Sequence, residues 1–161
     1  PLAIRYPRGR GEIVHWKMPF TELPKVKSRQ LRKGNRIAVL TLGTLGTRVK
    51  RVLDRLGGTE FTHIDMRYMK PLDEECLKEV FQQHDLVVTL EDGMLRGGFG
   101  SAIMEFTAEN ELQKPVKRMG IQDEFIGHGS VEELEKMTGL DESSIQQEFE
   151  HLLSNLKSGS K

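Results

Sequence analysis

The sequence predicts an α/β fold, a three-layer sandwich built on a mostly parallel sheet. Three observations carry that expectation. Ile37-Ala38-Val39-Leu40-Thr41-Leu42 is a near-continuous apolar run of strand length, the pattern of a strand covered on both faces. Further strand-like stretches alternate with amphipathic segments at helical spacing. Glycine-rich turns follow two of the strands, as βα connections require.

Taken in order, the first element after Arg36 is the strand just quoted. Gly43-Thr44-Leu45-Gly46-Thr47 then leads into a helix whose Leu45, Val49, Val52, Leu53 and Leu56 mark one face, closed by Gly57-Gly58. A second strand begins near Phe61, with Phe61, His63 and Asp65 facing one way and Thr62, Ile64 and Met66 the other. It gives way to a loop at Arg67 and stops at Pro71, which has no N–H to offer a ladder. Asp73 is placed to cap a helix carrying Glu74 and Glu75 in its first turn and Cys76, Leu77, Val80 and Phe81 as its inward stripe. Asp85 to Glu91 forms a third strand, and Gly93 to Gly100 a loop before a helix with Phe99, Ala102, Ile103 and Phe106. Lys114 to Ile121 is a weaker strand whose proline suits an edge or a start. Ser130 and Glu133 make a capping box for a short helix, and Ile145, Phe149, Leu152, Leu153 and Leu156 line a last one.

The first 35 residues read differently. Pro1 to Tyr6 looks like the closing strand of something else, so residues 1–9 are expected to end a preceding domain. Residues 10–35, with Pro19, Pro24 and many basic side chains, are expected to be an interdomain linker anchored by Trp16 and Phe20. The folded domain is then expected over 36–157, with a polar tail at 158–161.

Composition narrows the function classes. Lysine plus arginine equals aspartate plus glutamate at 24 each in 161 residues, so no global charge attracts nucleic acid or an anionic membrane. No apolar run is long enough to span a bilayer, and no signal sequence opens the chain, which makes a cytoplasmic location the expectation. Cys76, the one cysteine, has no partner for a disulfide and suits a buried hydrophobe. The histidines show no zinc-binding spacing, and a nucleophile elbow is lacking.

Candidate sites gather at strand ends. Gly43 to Thr47 lacks the spacing of a dinucleotide or phosphate-cradling loop and reads as a tight turn, although a nucleotide there is the alternative for a chain complete in itself. Glu91 and Asp92 stand where the third strand ends, as an acid/base pair or as a solvated turn. Gly97 to Ser101 offers backbone donors at a helix start, either an anion nest or a close backbone crossing. His128 sits between glycines on a loop. Arg8 and Arg67 each lie just past a strand, and two guanidinium groups converging there would match phosphate oxygens, although Arg67 taken by its own segment reads first as a surface charge.

Five stretches taken together carry a resemblance: I-R-Y-P-R-G at 4–9, D-M-R-Y-M-K-P-L-D at 65–73, H-D-L-V-V-T-L-E-D-G at 84–93, G-G-F-G-S-A-I-M-E at 97–105 and G-I-Q-D-E-F-I-G-H-G at 120–129. In order and spacing they resemble the C-terminal part of 1-deoxy-D-xylulose-5-phosphate synthases. Transketolases and the β subunits of 2-oxoacid dehydrogenases, which share the domain type, are the alternatives. The resemblance implies a transketolase C-terminal-like domain of a thiamine-diphosphate-dependent transferase that joins pyruvate and glyceraldehyde 3-phosphate, releases CO2 and feeds isoprenoid and thiamine biosynthesis. It further implies a homodimer for the intact enzyme, while the charge balance and the lack of a long apolar run leave nucleic acid and membrane out of the expected partners. Thiamine diphosphate and Mg2+ would be held by other domains, so no catalytic, cofactor or metal residue is expected here and the isolated chain is expected to be inactive. Arg8 and Arg67 match the family positions that bind the triose phosphate, while Glu91 and His128 are possible lining residues. Tyr68 and Gln122 stand where the family more often has phenylalanine and proline.

Overall fold

A computed structural model describes Ala3 and residues 22–158. Five strands form one sheet in the order β1-β3-β2-β4-β5: β1 (Arg29–Arg32), β2 (Ile37–Leu42), β3 (Phe61–Asp65), β4 (Leu86–Met94) and β5 (Val116–Ile121). β2 pairs in parallel with both β3 and β4, and β4 with β5; β1 alone runs antiparallel, against β3. The helices are α1 (Leu45–Leu56), α2 (Glu74–Gln83), α3 (Phe99–Glu109), α4 (Val131–Met137) and α5 (Glu142–Ser158).

Alternation along the central strands divides the core into two layers. Ile37, Val39, Phe61 and Val88 point toward α1 and α5, where they meet Val49, Leu53, Ile145 and Phe149. Ala38, Leu40, Ile64 and Val87 point the other way, onto Leu77 and Phe81 of α2 and Ile103 and Phe106 of α3. Helices on both faces of a mostly parallel sheet make the three-layer sandwich that the sequence predicts.

Two local expectations change. The last part of the expected linker is not structureless: Arg29–Arg32 forms edge strand β1. A four-residue strand with no apolar alternation leaves little periodic signal, and its pairing with β3 is a long-range contact. β1 is held by more than its ladder, because Asp73 Oδ2 accepts from Ser28 N–H at 2.8 Å and Oγ–H at 2.9 Å while Asp73 also caps α2. The second change follows from the first. With β1 covering its edge, β3 is an interior strand and its polar side chains are buried, Thr62 at 4% exposure and His63 at 1%. Each therefore needs an internal partner. Thr62 pairs with His84 Nε2 at 2.7 Å, and His63 Nε2 with Thr41 Oγ1 at 2.9 Å. The residues expected to end a preceding domain, and the anchors Trp16 and Phe20, lie outside the described residues.

Candidate functional site at the carboxyl edge of the sheet

β3 places Arg67 at the carboxyl edge of the sheet. Met66 still belongs to the sheet, since its N–H donates to Thr41 O at 2.9 Å and its side chain is fully buried. The next residue breaks away: Arg67 has φ +58°, in the left-handed region. A side chain held there is disfavoured by roughly 1–2 kcal/mol, so its surroundings must supply the compensation. Asp65 Oδ1 accepts the Arg67 N–H at 3.1 Å, and Tyr68 N–H donates back to Met66 O at 2.5 Å. Asp65 Oδ2 also lies 3.9 Å from Arg67 Nε, an ion pair in which the Arg67 side chain is 18% exposed. The D-x-R spacing is visible in the sequence, but its meaning depends on the left-handed conformation at residue 67 that accompanies the bond from its N–H to the Asp65 carboxylate.

β4 places Glu91 on the same edge, with β2 between the two. Glu91 is neither solvated nor paired with Asp92 as an acid. It is 5% exposed and turns inward to the start of α3, where Oε2 accepts from Phe99 N–H at 2.7 Å and Oε1 from Gly100 N–H at 2.8 Å. The helix start does bind an anion, and the anion is the protein's own carboxylate. Glycines make room for it: a Cβ on Gly98 would lie 2.1 Å from Glu91 Oε2, and one on Gly120 would lie 3.0 Å from Glu91 Cγ.

Asp92 faces a cavity of about 360 Å³ between the β2 and β4 loops, shared with Thr44, Ile126, Val131, Leu134 and Leu140. Connections leaving neighbouring strands for opposite faces open such crevices in α/β sheets. Arg48 on its wall is already engaged, donating to Leu140 O and to Glu135 at 2.5 Å each. At the β2 turn, Gly46 and Thr47 spend their N–H groups on the Gly43 and Thr44 carbonyls, at 3.2 Å each. His128 is exposed, one residue beyond Gly127 on the cavity rim. Arg67 and Glu91 thus share the sheet's carboxyl edge, His128 stands on a separate loop, and Arg8 lies outside the described residues.

The most displaced titration is that of His63, behind this edge. Burial first, then the Lys50 and Arg32 charges, push it from 6.5 down to about 4, with Asp54 opposing. Its Nδ1 makes no hydrogen bond among the described residues. An N–H at Nε2 donating to Thr41, whose hydroxyl passes on to Ile64 O at 3.4 Å, leaves only a lone pair unmatched at Nδ1. At Asp73, burial raises the carboxyl, but hydrogen bonds from Ser28 and Cys76 and the Lys27 charge outweigh it and leave it below its ordinary value.

The described residues do not fit a diphosphate or its metal. The donors at the start of α3 are taken by Glu91, and no three His, Cys, Asp or Glu side chains among the described residues come together as a metal site.

Comparison with known proteins gives the family of the chain. The family described as transketolase, C-terminal domain, matches residues 26–145. The chain is similar to 1-deoxy-D-xylulose-5-phosphate synthase of Phocaeicola vulgatus, 47% identical over 148 residues, covering 90% of this chain and 23% of that protein. The Bacteroides fragilis enzyme of the same name is 46% identical over 148 residues, with the same coverage. The Vibrio vulnificus one is 37% identical over 153 residues, covering 95% and 24%. The chain therefore spans about a quarter of the length of these relatives. Among solved structures, a split-gene transketolase described as an inactive β4 tetramer superposes with a TM-score of 0.71 and 27% identity, over 79% of this chain and 42% of that one.

Proposed function

The chain belongs to the transketolase C-terminal domain family, and we propose that it is the C-terminal part of a 1-deoxy-D-xylulose-5-phosphate synthase whose Arg67, with Arg8, binds the phosphate of glyceraldehyde 3-phosphate. The observation that carries the proposal is the setting of Arg67. It stands at the carboxyl end of an interior strand, contacts Asp65 through Nε, and makes no hydrogen bond through its terminal nitrogens among the described residues. Paired terminal N–H groups are the donors that match phosphate oxygens. The identity of the relatives supports the choice of synthase over other family members.

In this proposal the intact enzyme is a cytoplasmic homodimer. Its other domains hold thiamine diphosphate and Mg2+, and the cofactor supplies the decarboxylation and carbon–carbon chemistry of pyruvate. This part binds the acceptor triose and presents apolar side chains such as Phe125, Val131 and Met137, all exposed, to its neighbours. In this proposal residues 1–9 close the preceding domain, the linker ends ahead of β1 rather than at residue 35, and the folded unit extends through α5. Glu91 acts by shaping the loop at the edge, and His128 remains at the rim.

The test uses the intact enzyme. Arg67→Ala and Arg8→Ala are each expected to raise the KM for glyceraldehyde 3-phosphate by at least tenfold, with pyruvate decarboxylation spared. An unchanged triose KM in either variant would remove that arginine from the phosphate site. This chain by itself, given pyruvate, thiamine diphosphate and Mg2+, is expected to turn over nothing.

A further inference from the structure

We propose that Asp65 is a positioning residue for Arg67, setting both its backbone and its guanidinium for the phosphate; this rests on the phosphate role given to Arg67 above. One carboxylate holds the arginine twice. Oδ1 takes the N–H at 3.1 Å, which supports the left-handed conformation of residue 67. Oδ2 stands 3.9 Å from Nε, an ion pair made at the nitrogen nearest the side-chain stem. A carboxylate at Nε orients the plane of the group and leaves the two terminal nitrogens for a bidentate oxyanion.

Asp65 is itself firmly placed. It is the last residue of β3, in register with Thr41 of β2 on one side and Arg29 of β1 on the other, so ladders on both edges hold its backbone. Arg29 is exposed and makes no ion pair among the described residues. Among the described residues the ion-pair partner of Asp65 is therefore Arg67.

The experiment compares Asp65→Ala, Asp65→Asn, Arg67→Ala and the double variant Asp65→Ala/Arg67→Ala in the intact enzyme. Kinetic constants are measured separately for glyceraldehyde 3-phosphate and pyruvate, with thermal unfolding in parallel. Asp65→Ala is expected to raise the triose KM on the order of tenfold while kcat and the pyruvate KM stay within about twofold. Asp65→Asn, which keeps an acceptor for the N–H and loses the charge, is expected to raise it less. In the Arg67→Ala background, removing Asp65 is expected to change the triose KM no further. An additive double variant, or a triose KM that stays level or falls when Asp65 is replaced, would overturn the positioning role while leaving Arg67 in the site. If Asp65→Ala does not fold, Asp65→Asn carries the test, and an unaltered triose KM there overturns it equally. If Arg67→Ala alone leaves the triose KM unchanged, the phosphate role fails first and takes the positioning role with it.

Discussion

Glu91 and Gly98 are matched to one another: a Cβ at residue 98 would stand 2.1 Å from Glu91 Oε2 and 2.2 Å from Met94 O. Neither atom is the free end of an exposed side chain, because Glu91 is buried and bonded to the start of α3. Gly98→Ala is therefore expected to destabilise the chain by about 1–3 kcal/mol, the usual range for overpacking. Gly97→Ala is the control. Its Cβ would meet nothing, and only its φ of +71° resists substitution, so a loss of about 1 kcal/mol is expected. Urea unfolding midpoints at constant slope check the order of the two.

Removing the carboxylate tests the same pairing from the other side. Glu91→Ala strands the Phe99 and Gly100 N–H groups, and a loss of roughly 2–3 kcal/mol is expected, with Glu91→Gln in between because its amide oxygen still accepts. Amide hydrogen exchange at residues 99 and 100 is expected to speed up before the rest of α3 responds. Equal exchange in the variant and the parent would show that another group caps the helix.

His63 is expected to give the stability a dependence on pH between about 6.5 and 4. Its folded pKa, about 4, lies below the unfolded value of 6.5, so the unfolded chain takes up the proton first as pH falls. Its contribution is whole above pH 6.5, declines by about 1.4 kcal/mol per pH unit, and flattens below 4 after a loss of about 3 kcal/mol. The groups facing it are Thr41 on β2, Lys50 and Asp54 on α1 and Arg32 on β1. The lowered carboxyls of Asp54, Asp73, Asp141 and Glu142 act in a more acidic window, their contributions being lost below the ordinary carboxylate range. A His63→Leu variant is expected to flatten the curve between pH 4 and 6.5, and an unchanged slope would assign the effect elsewhere.

Asp73 joins two elements that sequence patterns treat separately. Asp73→Ala removes the cap of α2 and the acceptor for Ser28, and is expected to cost about 2 kcal/mol. Ser28→Ala, which loses only the hydroxyl contact, is expected to cost under half as much. Fast exchange at β1 amides in Asp73→Ala, with β2 and β4 still protected, would place the damage at the sheet edge.

The parts of this fold legible in the sequence are those whose signal is local and periodic. The run at Ile37–Leu42, the stripe from Leu45 to Leu56 and the capping box at Ser130 each follow from neighbouring residues, and each is found where expected. β1 escapes because its partners lie more than 30 residues ahead and its four residues carry no alternation. At the site, Arg67 is legible as a strand-end arginine, and the order of short motifs points to the family. Two other features depend on three-dimensional closure: Glu91 turns inward because Phe99 and Gly100 present N–H groups to it, and the Asp65 carboxylate meets the Arg67 N–H with residue 67 in the left-handed conformation, at φ +58°. Neither periodicity nor composition encodes such contacts.

The central claim, that two arginines remote in sequence hold one phosphate, is tested most directly by a crystal structure of the intact enzyme with glyceraldehyde 3-phosphate bound. The expected result places the terminal nitrogens of Arg8 and Arg67 within hydrogen-bond distance of the same phosphate group, with Asp65 still on the Nε side of Arg67. A phosphate bound elsewhere, or the two guanidinium groups directed to opposite faces of the sheet, would contradict it.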